Sequence, residues 1–148
     1  MVAQHSAPPL VVISVFDKLV AINLHTGQHA WEVPMEETRS ARLLVDQGCV
    51  FYCPRMELYC LDYLTGALRW KVPTGLSFAE PNFFPYAGCL LLATSGEFSC
   101  FNIQTGGLLW HEKSGPLARL AGNAMAAPGV TVQIDRDTHH HRLAPTST

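Results

Sequence analysis

Cys60-Leu61-Asp62-Tyr63-Leu64-Thr65-Gly66-Ala67-Leu68-Arg69-Trp70 is one of three copies of a single stretch. The earlier copy reads Ala21-Ile22-Asn23-Leu24-His25-Thr26-Gly27-Gln28-His29-Ala30-Trp31, and the later one Cys100-Phe101-Asn102-Ile103-Gln104-Thr105-Gly106-Gly107-Leu108-Leu109-Trp110. All three tryptophans of the chain stand here, each four positions after a Thr-Gly, and successive ones lie 39 and 40 residues apart. A period of roughly 40 residues belongs to propeller blades or to stacked helix pairs.

The local pattern decides for strands. Leu10-Val11-Val12-Ile13-Ser14-Val15 and Cys49-Val50-Phe51-Tyr52-Cys53 are short runs of β-branched and aromatic residues. Leu90-Leu91-Leu92-Ala93 would suit a helix in isolation, but it holds the same place in the repeat. Between turn signals no stretch carries a helical apolar period.

Aligned on Thr-Gly, the units share one plan. A strand B begins each run, after Gly48 and Gly88 in the second and third units. A hairpin follows at Phe16-Asp17-Lys18, Arg55-Met56-Glu57 and Ser95-Gly96-Glu97. Strand C covers Leu19–Asn23, Leu58–Asp62 and Phe98–Asn102. The Thr-Gly turn leads into strand D around Ala30–Val33, Leu68–Val72 and Leu108–His111. Ala41–Val45 and Asn82–Tyr86 supply a preceding strand A, which the first unit lacks. After Pro116 the repeat restarts, with Leu117–Met125 in the place of strand A and Val130–Ile134 in that of strand B. The expected organisation is a tail over 1–9, repeats over 10–134 and a polar tail over 135–148. Blades would span about 10–34, 39–73 and 79–113, with a fragment over 117–134.

The repeated residues have physical reasons. Glycine adopts the positive φ that a short hairpin needs where the chain re-enters the sheet. Asn23, Asp62 and Asn102 stand three positions before Thr26, Thr65 and Thr105, where a side-chain oxygen can accept bonds from loop N–H groups. Each tryptophan offers a large plate and one N–H donor, suited to covering a neighbouring sheet.

This pattern resembles the tryptophan-docking repeat of the PQQ-like, or quinoprotein-alcohol-dehydrogenase-like, β-propeller superfamily, with its Ala-x-Asp-x-x-Thr-Gly-x-x-x-Trp signature. Ala21, Asn23, Thr26, Gly27 and Trp31 match with Asn for Asp. Cys60, Asp62, Thr65, Gly66 and Trp70 match with Cys for Ala, and Cys100, Asn102, Thr105, Gly106 and Trp110 depart at both places. The resemblance implies an all-β fold: a partial propeller of four-stranded blades, about three plus a terminal fragment. Superfamily propellers resemble closed rings of more blades. The expectation is therefore completion by a partner, with the C-terminal segment of one chain filling the strand-A place of another chain's first blade. Members include dehydrogenases, outer-membrane assembly lipoproteins and scaffolds, so the fold alone assigns no activity.

Composition narrows the function further. The chain has 148 residues, is 48% apolar and only 15% charged, and carries a net charge of −2. An electrostatic binder of nucleic acid or of anionic membranes is not expected. Leu10–Phe16 is too short for a transmembrane helix, and the first residues carry no basic segment, so a cytoplasmic location is expected. Cys49/Cys89 and Cys60/Cys100 occupy equivalent repeat positions, which points to packing rather than to ligands or disulfides.

Quinoprotein enzymes of the superfamily resemble full propellers with calcium beside the quinone, and many carry a disulfide between adjacent cysteines. Here no two cysteines are adjacent, and the acidic groups Asp17, Glu57 and Glu97 are expected in turns. His139-His140-His141 beside Asp135 and Asp137 has metal-ligand chemistry but reads better as a solvated tail. Phe78, Phe83, Phe84 and Tyr86 read as packing between inner strands. No Ser/His/Asp grouping or phosphate-binding loop stands out. The expectation is a non-catalytic module without cofactor or metal, partnered by itself or by a larger protein complex. A lectin-like ligand-binding propeller and a quinoprotein subunit are the alternatives.

Overall fold

The computed structural model describes residues 7–35, 42–77, 81–94, 96–113, 124–127 and 130–133. Among these residues every regular element is a β-strand. Two compact units divide the chain, Met1–Thr74 and Gly75–Thr148.

The first unit holds two sheets. β1 (Leu10–Val15), β2 (Lys18–Asn23) and β3 (His29–Pro34) form one, in the order β1-β2-β3. β4 (Arg42–Asp46), β5 (Cys49–Cys53), β6 (Glu57–Asp62) and β7 (Leu68–Pro73) form the other, in chain order. The second unit repeats the four-stranded plan with β8 (Asn82–Tyr86), β9 (Cys89–Ala93), β10 (Glu97–Asn102) and β11 (Leu108–Lys113). A separate two-stranded sheet pairs β12 (Ala124–Ala127) with β13 (Val130–Gln133). The pairing within every sheet is antiparallel. The protein is thus all-β, a partial propeller, and among the described residues its first sheet has no counterpart of β4 and β8.

Strand C begins one residue earlier than the sequence pattern suggests. Lys18, Glu57 and Glu97 are not turn residues; they open β2, β6 and β10 by pairing with Pro34, Pro73 and Lys113. The pairing partner on strand D, invisible to a local pattern, draws them into the sheet. β5 is buried along its whole length, which accounts for its unbroken apolar run. Expected strand A at Leu117–Met125 falls largely outside the described residues, as do Phe78 and His139–His141.

The three Thr-Gly turns are built from one set of bonds. Asn23 Oδ1 accepts from the N–H groups of His25 and Thr26 at 2.8 and 3.2 Å. Asp62 Oδ1 accepts from Leu64 and Thr65 at 2.9 and 3.0 Å, and Asn102 Oδ1 from Gln104 and Thr105 at 2.8 and 3.2 Å. The threonine hydroxyls accept from Gln28, Ala67 and Gly107 at 3.2, 3.2 and 3.1 Å. Gly27, Gly66 and Gly106 turn the chain at φ of 73°, 75° and 75°. Each turn also carries a bulge, between Ala21 and Ile22, Cys60 and Leu61, and Cys100 and Phe101. One oxygen suffices for the turn, so Asn and Asp serve alike. The second oxygen of Asp62 accepts from the Arg69 guanidinium at 2.7 Å.

Trp31 joins the two sheets of the first unit. Its indole N–H donates to the Tyr63 carbonyl at 2.8 Å. Its ring lies over Gly66 so closely that a Cβ there would sit 2.6 Å from Cε3. Leu10, Leu19 and Ala21 from one sheet and Val50, Tyr52 and Leu61 from the other close the cluster around it. Trp31 is left 8% exposed. Tyr63 grips the first sheet a second time: its hydroxyl donates to the Pro8 carbonyl at 2.6 Å and accepts from the Leu10 N–H at 2.7 Å.

Two predictions follow from these geometries. Gly27 has the same φ as Gly66, but nothing lies within 4 Å of a Cβ built on it. Gly27→Ala should therefore cost about 1–2 kcal/mol of backbone strain. Gly66→Ala should cost about 1–3 kcal/mol more, because a rigid ring must also move. Urea unfolding in dilute solution measures both; equal losses would show that Trp31 is not seated on Gly66.

The second prediction concerns Asp62, whose carboxyl is held below its ordinary value by the Arg69 bond, helped by the N–H groups of Thr65 and Leu64. A depressed folded-state pKa stabilises above the unfolded carboxylate pKa, and that stabilisation is lost as pH falls through the folded value. Asp62→Asn keeps the turn oxygen. It should cost less than about 1 kcal/mol at neutral pH, since both partners are partly solvated, and should flatten the acid limb of the stability profile. An unchanged acid limb would remove the pair from the account.

Candidate functional site

The motif residues share their turns but not their surroundings. Asn23, Thr26, Gly27 and Trp31 belong to the β2–β3 hairpin, Asp62, Thr65, Gly66 and Trp70 to β6–β7, and Asn102, Thr105, Gly106 and Trp110 to β10–β11. Each tryptophan stands opposite residue 21, 60 or 100, next to the bulge. Trp31 is buried on Gly66. Trp70 is partly buried, its ring centroid 6.2 Å from that of Phe51. Trp110 is 48% exposed, with Leu108 and Leu109 exposed beside it. At the other extreme Gly27 is uncovered, and Leu24 next to it is 64% exposed. The surfaces available for function are therefore parts of the repeat device itself.

A second repeated feature was hidden in the sequence. Lys18 pairs with Glu32 at 2.9 Å, Glu57 with Lys71 at 3.5 Å, and Glu97 with His111 at 3.9 Å. Each pair joins strand C to strand D at the same separation along the chain. The signal lay in charges at a fixed offset, but its sign reverses between the first two units, which defeats a search for identical residues. Burial differs too: Lys18–Glu32 and Glu57–Lys71 are exposed, whereas the Glu97 carboxylate is buried.

Around Glu97 the second unit assembles a polar group that residue spacing did not suggest. Ser99 Oγ lies 2.9 Å from His111 Nδ1, and His111 Nε2 faces Glu97. The Ser77 N–H donates to Glu97 Oε1 at 3.3 Å, and Lys113 Nζ stands 4.0 Å away. Serine, histidine and glutamate in a row are the components of nucleophilic catalysis. Ser99, however, is 0% exposed, so its hydroxyl meets no substrate. The group meets a buried carboxylate with a hydrogen bond from the Ser77 N–H and the positive charge of Lys113, as burial demands.

The cysteines pack. All five are free, and Cys49, Cys53, Cys60 and Cys100 are buried. Burial pushes the Cys53 thiol up to about 12. Burial, and then the neighbouring Cys49 thiol, raises Cys60; burial and Cys89 raise Cys100. Raised thiols are poor nucleophiles and poor ligands. The Arg69 guanidinium also donates to Cys49 Sγ at 3.0 Å.

The described residues do not fit a calcium–quinone centre. No group of three or more His, Cys, Asp or Glu among them is placed to hold a metal ion. Asp17 and Glu57 are exposed, Asp62 is engaged by Arg69, and Glu97 by His111 and Lys113. Among the described residues no helix is long and apolar enough to cross a membrane.

Comparison with known proteins agrees with this anatomy. The family profile described as outer membrane protein assembly factor BamB matches residues 10–141. No curated protein matches the sequence. Among solved structures, BamB from Moraxella catarrhalis is similar with a TM-score of 0.60 and 22% identity, over 80% of this chain and 41% of that one. The quinohemoprotein alcohol dehydrogenase from Pseudomonas putida HK5 is similar with a TM-score of 0.55 and 17% identity, over 73% of this chain and 25% of that one. A europium-containing methanol dehydrogenase gives a TM-score of 0.54 and 15% identity, over 69% of this chain and 22% of that one. The chain thus spans less than half the length of these structures, and their likeness extends to the fold, which is shared by BamB and by dehydrogenases alike. With the profile covering nearly the whole chain, the protein belongs to the BamB-like family of PQQ-type β-propeller repeats.

Proposed function

We propose that this protein is a non-catalytic interaction module that assembles through the edges of its propeller blades, with itself or within a larger protein complex. The observation that carries this reading is the open edge of β1. In the other two blade sheets the equivalent strands, β5 and β9, are flanked by β4 and β8. Among the described residues β1 pairs with β2 alone, and Ile13 and Val15 are exposed along it. An unpaired strand edge with apolar side chains recruits a further strand. The β12–β13 hairpin of another copy is a candidate donor, as is a strand from a different protein. The family's description as an outer membrane protein assembly factor is consistent with an interaction function.

The alternatives draw less support. A lectin-like propeller would present like side chains at like loops, yet the equivalent hairpin positions 17, 56 and 96 hold an aspartate, a methionine and a glycine. A quinoprotein subunit would need the centre that the described residues do not offer. A reducing compartment such as the cytoplasm suits five free cysteines.

The test places a photo-cross-linking residue at Ile13 in the full chain, within its source cells. The expected result is covalent protein adducts that disappear when the cross-linker is moved to buried Val50. In parallel, the purified chain with calcium, the quinone and an alcohol should reduce no dye. Absence of adducts, or quinone-dependent turnover, would overturn the reading.

A further inference from the structure

The geometry points to a specific self-association: we propose that Trp110 of one copy seats on the Gly27 turn of a second copy, reproducing between chains the seating of Trp31 on Gly66. This rests on the interaction-module reading and names one partner for it, a second copy of this chain.

The pattern is fully displayed inside the first unit. Trp31 covers Gly66 and donates to the Tyr63 carbonyl at 2.8 Å. Tyr52 and Leu61 are buried beside it. Each half of that arrangement recurs elsewhere in the chain without a complement among the described residues.

The plate half is on β11. Trp110 stands opposite Cys100 beside the bulge, as Trp31 stands opposite Ala21. It is 48% exposed, against 8% for Trp31. An indole held on a rigid strand loses little side-chain freedom on binding, and such residues dominate interface energies.

The seat half is on the β2–β3 hairpin. Gly27 has a φ of 73°, against 75° for Gly66, and the two turns share the bonds to Asn23 or Asp62 Oδ1, the bond to the threonine hydroxyl and the bond from the glycine N–H to the residue 23 or 62 carbonyl. Nothing lies within 4 Å of a Cβ built on Gly27. The carbonyl that corresponds to Tyr63 belongs to Leu24. Ile13, Ile22 and Leu24 correspond to Tyr52, Leu61 and Tyr63, so the flanking surface is again apolar. Ile13 and Leu24 are 39% and 64% exposed, whereas Tyr52 and Leu61 are essentially buried.

A second copy is the occupant because this chain carries both halves with the matched chemistry of one interface: indole to glycine, indole N–H to carbonyl, aliphatic to aliphatic. The contact is heterologous, since plate and seat are different surfaces. It therefore builds either a closed ring or an open fibre.

Sedimentation velocity of the full chain over a wide concentration range tests this. The wild type should gain mass with concentration. Trp110→Ala, which alters an exposed side chain and should unfold at the wild-type temperature, should weaken association by on the order of a hundredfold. Leu24→Arg, which blocks the seat, should do the same. Mixing the two variants should restore a species of two chains and no larger, because one intact plate meets one intact seat. A wild type that stays monomeric, a Trp110→Ala chain that assembles as the wild type does, or a mixture that stays monomeric would overturn the proposal. If the chain stays monomeric while Ile13 still cross-links to other proteins, self-seating fails and the interaction-module reading stands.

Discussion

A single covered glycine holds the first unit together. Gly66 must be glycine twice over: its φ lies in the left-handed region, and the Trp31 ring occupies the space of its Cβ. The turn that creates this seat is closed by one side-chain oxygen of Asp62 and the hydroxyl of Thr65. Two sheets are then joined by the flat ring of a tryptophan, whose one polar atom is satisfied by the carbonyl of Tyr63. Backbone groups form both the seat and its acceptor, so side chains around it can vary without altering the geometry. That tolerance lets Cys60 and Cys100 stand where Ala21 stands, with equal success as small apolar packing.

Much of the fold was legible because the same physics is written three times. A strand of five or six residues is a weak signal alone, and Leu90–Ala93 in isolation would read as helix. Register with Leu10–Val15 and Cys49–Cys53 resolved it. Pro9 stands where Gly48 and Gly88 stand in the repeat. Indeed the Pro9 carbonyl accepts from Leu24 N–H just as those of Gly48 and Gly88 accept from Tyr63 and Ile103.

What could not be read depends on partners far along the chain. Glu97 looks like a turn residue, and its burial follows only from its place opposite Lys113 and beneath Ser77. The grouping of Ser99 and His111 arises from adjacent strands, not from spacing along one. The differing exposure of three chemically equivalent tryptophans was also hidden. Identical motifs encode identical turns, while exposure depends on what lies against each one.

The reversed ion pairs bear on how such a chain folds. Consecutive, similar repeats face a hazard during synthesis: strand C of one can pair with strand D of its neighbour. In the native sheets Lys18 meets Glu32 and Glu57 meets Lys71. Were β2 to pair with β7 in the same register, Lys18 would face Lys71; were β6 to pair with β3, Glu57 would face Glu32. Like charges so placed disfavour the pairing. The inversion of sign thus disfavours exchange of strands between the first two repeats, while adding little to the stability of the finished fold. The second and third repeats share one sense, Glu57 with Lys71 and Glu97 with His111, so the charges do not distinguish those two.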